Sequence, residues 1–72
     1  MNVYQRLKDL REDADKSQED ISKIIGTSQS YYAQYENGKR DIPFERVAIL
    51  AKYYNVSLDY IAGFTDVPRK LK

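Results

Sequence analysis

The feature that most constrains the fold of this sequence is Gly26, which separates two short helix-forming segments. Apolar residues four positions apart predict a helix over residues 18–25, with Ile21 and Ile25 facing inward. Glycine adopts the left-handed conformation without steric penalty, so that this helix is predicted to end at Gly26. Another helix is predicted over residues 28–36. Helices joined by only about three residues cross at a steep angle, which leaves the second helix projecting.

The rest of the chain predicts three further helices and no linker, which gives a single all-α domain over residues 1–63. The first helix is expected from about Asn2 to Ala14, the fourth with Pro43 in its first turn, and the fifth capped by Ser57. Residues 64–72 form a short tail that is expected to fray in part. The side chains predicted to face inward from the last two helices are apolar and helix-spaced: Phe44, Val47, Ala48, Leu50, Ala51, Tyr54, Leu58, Ile61 and Ala62.

The composition argues against several classes of function. Cysteine and histidine are both absent, which removes the usual general base and the commonest metal ligands, so we expect no enzyme, no metal site and no cofactor. The lack of cysteine fits the reducing cytoplasm, and no apolar run is long enough for a membrane helix. The formal net charge is only +1, so any affinity for nucleic acid must come from local placement of positive groups.

The projecting third helix has two chemically different sides. Tyr32 and Tyr35 are three positions apart and are predicted to point into the core. The residues predicted to point outward are small or polar and uncharged: Gln29, Ser30, Ala33 and Gln34. Glutamine pairs with adenine and an alanine methyl group meets the thymine methyl group in the major groove of DNA. Taken alone, however, these side chains are better explained as an ordinary solvated helix surface.

The order of the surrounding residues changes that judgement. Ser17-Gln18 opens the second helix, Ser28 opens the third after the glycine, and residues 35–40 read Tyr-Glu-Asn-Gly-Lys-Arg. With these elements, the sequence from Val3 to Gly63 resembles the phage-repressor and Cro-like helix-turn-helix family, also called the xenobiotic-response-element family. The resemblance implies a five-helix, lambda-repressor-like fold in which the second and third helices form the helix-turn-helix.

The resemblance also implies a role for individual residues. Gln18 is expected to touch a phosphate and to brace Gln29, while Arg11 and Glu36 are expected to form a structural ion pair. The other positions that match base-facing residues of the family are Ser28, Ser30 and Gln34, beside the outward-facing Ala33. The positions that match residues near the DNA backbone are Tyr31, Asn37, Lys39 and Arg40.

These expectations describe a sequence-specific, double-stranded-DNA-binding transcriptional regulator, most simply a repressor on a pseudo-palindromic operator, with no small-molecule ligand evident. We expect a homodimer, because Leu58, Tyr60 and Phe64 exceed what a short last helix needs for its own core contacts. A restriction-modification controller protein is an open alternative. An antitoxin is another, although the tail is short for a segment that blocks a toxin. A protein-interaction module without DNA binding is a third alternative, against which the retained polar residues argue.

Overall fold

The computed structural model describes residues 2–68, and five α-helices lie within that range. They are α1 (Val3–Asp13), α2 (Gln18–Ile25), α3 (Gln29–Glu36), α4 (Phe44–Tyr54) and α5 (Leu58–Ala62). The predicted all-α architecture is therefore confirmed, with helix bounds within one or two residues of those expected. None of the helices in this part of the chain is long and apolar enough to cross a membrane.

Polar side chains at the helix starts explain where the elements begin. The side chains of Asn2, Ser17, Ser28 and Ser57 each accept a hydrogen bond from the backbone N–H three residues further on, which satisfies a donor that has no partner inside the helix. Ser17 forms a full capping box, because the carboxylate of Asp20 accepts in return from the Ser17 N–H. Pro43 differs from expectation, since it directly precedes α4 as its N-cap instead of lying in the first turn.

The core is formed by side chains from all five helices. The fully or nearly fully buried hydrophobic residues are Leu7, Ile21, Ile25, Tyr32, Tyr35, Leu50, Ala51 and Ile61. Tyr32 and Tyr35 are 0% and 2% exposed, as their spacing predicted, and their rings meet edge to face at 6.2 Å. Because both tyrosines occupy the same side of α3, the core holds that helix by one side and leaves the other outside.

Three side chains expected in the core lie outside it. Phe44 is 67% exposed, Leu58 is 39% exposed, and Ala62 is also exposed. The reason is the position of these residues at helix ends. Phe44 is the first residue of α4, and α5 has only five residues, so its inward side has room for little more than Ile61.

The start of the tail, residues 64–68, is held in place by hydrogen bonds. The backbone N–H of Ser57 donates to the carbonyl oxygen of Pro68 at 2.7 Å, and Phe64 N–H donates to Asp59 O at 2.9 Å. Arg6, which is 4% exposed, donates from Nη2 to Asp66 Oδ1 at 3.2 Å. A buried guanidinium requires an opposite charge, and the tail supplies one. The expectation for residues 69–72 lies outside the described part of the chain.

Candidate nucleic-acid interface

The turn between α2 and α3 consists of Gly26, Thr27 and Ser28. Gly26 has φ 80° and ψ 37°, the left-handed conformation predicted for it, and its N–H and that of Thr27 both donate to Ser22 O. A Cβ atom built on Gly26 meets nothing within 4 Å, so the backbone conformation and not lack of space calls for glycine here. Ser28 then caps α3, which starts immediately after the turn.

Four of the five candidate base-reading residues lie on the side of α3 that faces away from the core, and the fifth, Ser28, directly precedes the helix. Ser28, Gln29 and Ser30 are exposed, and Ala33 and Gln34 are half-buried. Gln29, Ser30, Ala33 and Gln34 lie on the helix surface opposite the buried tyrosines, and Ser28 is exposed because it precedes the helix as its N-cap. Contact of these five residues with base edges stays a prediction, but the geometry that such contact needs is present.

The outward-facing Gln29 is connected to the core by a chain of hydrogen bonds. Arg11 binds Glu36 through two bonds, Nε to Oε2 at 2.8 Å and Nη2 to Oε1 at 3.1 Å. Gln18 Nε2 donates to Glu36 Oε1 at 3.2 Å, and Gln29 Nε2 donates to Gln18 Oε1 at 3.1 Å. The ion pair between α1 and α3 thus also fixes the residue at the start of α2 and, through it, the base-reading candidate.

Glu36 is ionised in this environment although its side chain is only 3% exposed. Burial by itself raises the pKa of this carboxyl, but hydrogen bonds from Arg11 and Gln18 lower it more, so that the pKa lies below its usual range. The Tyr32 hydroxyl is also buried near Glu36, yet it makes no hydrogen bond of acceptable geometry within the described residues. Burial, and secondly the neighbouring carboxylate, raise the pKa of Tyr32.

The loop after α3 is folded back onto the end of that helix. Lys39 N–H and Arg40 N–H both donate to Gln34 O, at 2.9 and 3.3 Å. Gly38 has φ 75°, and a Cβ atom there would lie 3.3 Å from the ring of Tyr4. The side chains of Asn37, Lys39 and Arg40 are exposed, where a phosphate contact is possible. That contact, like the one expected for Tyr31 and Gln18, stays a prediction.

Tyr31 lies in a cluster of arginines that the sequence did not predict. The Arg40 guanidinium carbon is 4.7 Å from the centroid of the Tyr31 ring, and that of Arg46 is 5.8 Å away. Arg46 Nη1 donates to the hydroxyl of Tyr35 at 2.7 Å. Arg46 belongs to α4 and is far from the motif in sequence, and helical periodicity marks it only as a polar residue. Nothing in the sequence pattern could have singled it out.

The arginines divide into two groups that differ in charge compensation. Arg6 is buried and Arg11 is largely buried, and each is paired with a carboxylate, Asp66 and Glu36 respectively. Within residues 2–68, Arg40 and Arg46 have no carboxylate within ion-pair distance. The protein's small net charge therefore conceals uncompensated positive charge beside α3. The described residues contain no group of carboxylates placed to hold a metal ion.

The three residues expected at a dimer interface are not equivalent. Phe64 is 84% exposed and Leu58 is 39% exposed, and both line an open apolar groove with Ile42, Phe44 and Val47. Tyr60 is half-buried, and the Arg6 guanidinium carbon lies 3.9 Å from the centroid of its ring. Tyr60 thus has an internal contact with Arg6, and its place in a dimer interface stays a prediction.

Similarity to known proteins supports the same arrangement. Residues 7–61 match the family model described as Helix-turn-helix. The chain is 41% identical over 64 residues to the uncharacterized HTH-type transcriptional regulator YobD of Bacillus subtilis (strain 168), across 89% of this chain and 57% of that protein. It is 33% identical over 69 residues to the cryptic phage CTXphi transcriptional repressor RstR of Vibrio cholerae, across 93% of this chain and 62% of that one. The chain thus spans 57% and 62% of the length of these two relatives.

A solved structure shows the same fold at lower sequence identity. The P22 c2 repressor protein, crystallised in complex with synthetic operator 9T, matches with a TM-score of 0.77 at 23% identity, over 85% of this chain and 92% of that chain. The predicted repressor-like arrangement of five helices is therefore confirmed. Together with the family match, which covers most of the chain, this leaves one assignment. The chain belongs to the phage-repressor and Cro-like helix-turn-helix family of transcriptional regulators.

Proposed function

We propose that this chain binds a specific duplex DNA sequence by inserting α3 into the major groove, and that it represses transcription as a homodimer. The observation that carries the proposal is that two outward-facing glutamine side chains on α3 are held in place by hydrogen bonds within the protein. Gln29 and Gln34 are each held by a hydrogen bond, at 3.1 Å to Gln18 and at 2.8 Å from Arg40. Side chains ordered in advance lose less conformational freedom when they bind, which favours recognition of a defined base sequence.

The positive groups around α3 suit contact with the sugar-phosphate backbone. Lys39 and Arg40 are exposed on the loop after α3, and Arg46 lies beside the same helix without a carboxylate partner among the described residues. Phosphate contacts set the position of a protein on DNA and supply the salt-dependent part of its affinity. The operator complex of the P22 c2 repressor and the name of the repressor RstR support a role for this chain as an operator-binding repressor.

Selection of a binding site from random duplexes tests the proposal. We expect an enriched sequence with approximate two-fold symmetry, in which the two half-sites are one DNA turn, about 34 Å, apart. A single asymmetric half-site would contradict the homodimer. Failure to enrich any duplex would contradict DNA recognition altogether and favour a protein-interaction module.

The proposed homodimer gives a separate prediction. The highly exposed Phe64 lines the apolar groove of the chain, where we expect the second copy to pack. Sedimentation at high micromolar concentration is expected to show a dimer of the wild type and a monomer of Phe64→Asp. The matched control is Ile49→Asp, which places the same charge on an exposed apolar position of α4 that does not line the groove. A wild type that remains monomeric both free and on DNA would refute the dimer.

A further inference from the structure

We infer that Arg40 is a positioning residue that directs the Gln34 amide oxygen towards the loop, so that Gln34 presents its N–H donors to DNA and selects guanine, and secondly thymine, over adenine and cytosine. The inference rests on the proposed function, because it specifies what one residue of the same interface recognises. It concerns a single base position of the site, which makes it separable from DNA binding as such.

The orientation of the Gln34 amide follows from the chemistry of its neighbour. Arg40 Nε lies 2.8 Å from Gln34 Oε1. A guanidinium has donors and no acceptor, so only the oxygen of the amide can face it. One lone pair of the Gln34 amide oxygen is therefore taken by Arg40, and the oxygen is turned towards the loop, which leaves the amide nitrogen with its two N–H donors as the end available to an external partner.

Several contacts hold Arg40 where it binds Gln34. Its backbone N–H donates to Gln34 O at 3.3 Å, and its guanidinium carbon lies 4.7 Å from the centroid of the Tyr31 ring. Tyr31 in turn meets the ring of Tyr35 edge to face at 5.6 Å, and the Tyr35 hydroxyl accepts from Arg46. Because Tyr35 is buried, the cluster that positions Arg40 is anchored in the core.

Gln29, on the same helix, shows that a glutamine side chain can also be held in the opposite orientation, with its amide nitrogen bound inside the protein. The Glu36 carboxylate is an acceptor, so Gln18 must direct its nitrogen towards Glu36 and its oxygen towards Gln29. Gln29 therefore donates one N–H to Gln18 and keeps an oxygen and a second N–H for an external partner. Gln29 thus presents an acceptor and a donor, whereas Gln34 presents its N–H donors and turns its oxygen towards Arg40.

A side chain that presents N–H donors discriminates among the base edges of the major groove. Guanine presents two neighbouring acceptors, N7 and O6, and thymine presents the acceptor O4. Adenine presents a donor beside its one acceptor, and cytosine presents the N4 amino donor, which the Gln34 N–H groups would face donor to donor. We therefore expect guanine to be preferred over adenine and cytosine by about tenfold, the size of a good base contact.

Site selection with variants tests the preference. The base position read by Gln34 is first identified as the one whose preference disappears in Gln34→Ala, and the wild type is expected to select guanine there, with thymine second. Gln34→Glu keeps the partner for Arg40 but presents an acceptor, so cytosine is expected to replace guanine, by about tenfold. Adenine or cytosine in the wild-type site would overturn the inference while leaving the proposed function intact.

Arg40→Ala tests the positioning role, with Lys39→Ala as the matched control that removes the same charge one residue away. Arg40→Ala is expected to allow the Gln34 amide to turn over, so that adenine is accepted about as well as guanine at that position only. Lys39→Ala is expected to weaken binding to all sequences without changing the preferred base. A preference that is unchanged in Arg40→Ala, or lost equally in both variants, would overturn the role of Arg40.

A measurement without DNA separates this inference from the proposed function. In the free protein, NMR is expected to show an Arg40 Nε–H signal that shifts in Gln34→Ala and a Gln34 side-chain amide signal that shifts in Arg40→Ala, with neither signal shifting in Lys39→Ala. If neither signal shifts in the variant of its partner, the hydrogen bond between Arg40 and Gln34 is absent and the inference is overturned. If the shifts show the hydrogen bond but no duplex is selected from random DNA, the proposed function fails, and the base preference fails with it.

Discussion

Replacing Glu36 by alanine is expected to lower the free energy of unfolding by about 3 kcal/mol, because the variant leaves the Arg11 guanidinium largely buried without its carboxylate. The side chains of Arg11 and Glu36 are 13% and 3% exposed, so water compensates little of the loss. In a domain of this size the Tm is then expected to fall by roughly 12–24 °C, which thermal unfolding followed by circular dichroism measures directly. An unchanged melting curve would mean that the pair has no structural role.

The double variant Arg11→Met/Glu36→Leu is the control for this result. When both members of a buried ion pair are replaced by apolar groups of similar size, the stability is often retained. We therefore expect the double variant to be markedly more stable than Glu36→Ala. If both variants were equally unstable, loss of packing and not a stranded charge would be the cause.

The same pair also sets how stability depends on pH. Although burial opposes it, hydrogen bonding to Arg11 keeps the pKa of Glu36 below its usual range. A carboxyl with a lower pKa in the folded protein stabilises the fold above its unfolded pKa, and this contribution is lost as the pH falls through the folded pKa. The wild type is therefore expected to lose stability below about pH 4.3, the usual pKa of glutamate, more steeply than Arg11→Met/Glu36→Leu.

Replacing Gln29 by alanine is expected to lower affinity for the selected site by about 1–3 kcal/mol, which corresponds to a loss of roughly 5- to 150-fold. Binding to scrambled DNA and the salt dependence of binding are expected to stay nearly unchanged, because the variant removes a base contact and no charge. Fluorescence anisotropy with both duplexes at several salt concentrations measures these quantities. The matched control is Gln5→Ala on α1, where the exposed side chain binds Asp9 and is expected to have no effect.

In the same experiment, Lys39→Ala is expected to change the salt dependence of binding and not the sequence preference. It removes a charge expected at the backbone, so that binding to both duplexes weakens alike and the salt slope falls by about one unit. If Lys39→Ala instead changed sequence preference while Gln29→Ala and Gln34→Ala did not, the assignment of α3 as the recognition helix would be wrong.

The parts of the structure that the sequence predicts are those with local causes. Ser17 and Ser28 bind backbone groups within one helical turn, and Gly26 is selected by its own backbone conformation, so helix starts and the central turn are visible in a short window. The two sides of α3 follow from its period of 3.6 residues in the same way. These local signals explain why five helices and the orientation of the candidate site could be predicted.

The features of the structure that the sequence did not predict depend mostly on contacts between residues that are distant in sequence. Asp66 is bound by Arg6, 60 positions away, so this contact at the start of the tail could not be predicted from a short stretch of sequence. Arg46 joins the site because its side chain reaches from α4 to the Tyr35 hydroxyl on α3. Phe44 and Leu58 remain outside the core because each is the first residue of its helix. The Arg40 bond to Gln34 depends on the path of the loop, for which no periodic pattern exists.

The division of α3 into a buried and an outward side has an evolutionary consequence. Tyr32 and Tyr35 carry the fold, while Gln29 and Ser30 are exposed, and substitutions at exposed positions usually change stability by no more than about 0.5 kcal/mol. Duplicated copies of such a gene can therefore exchange outward residues and drift to new binding sites without passing through unstable intermediates. Glu36 does not share this freedom, since it serves the core and the interface together, and selection on either one constrains the other.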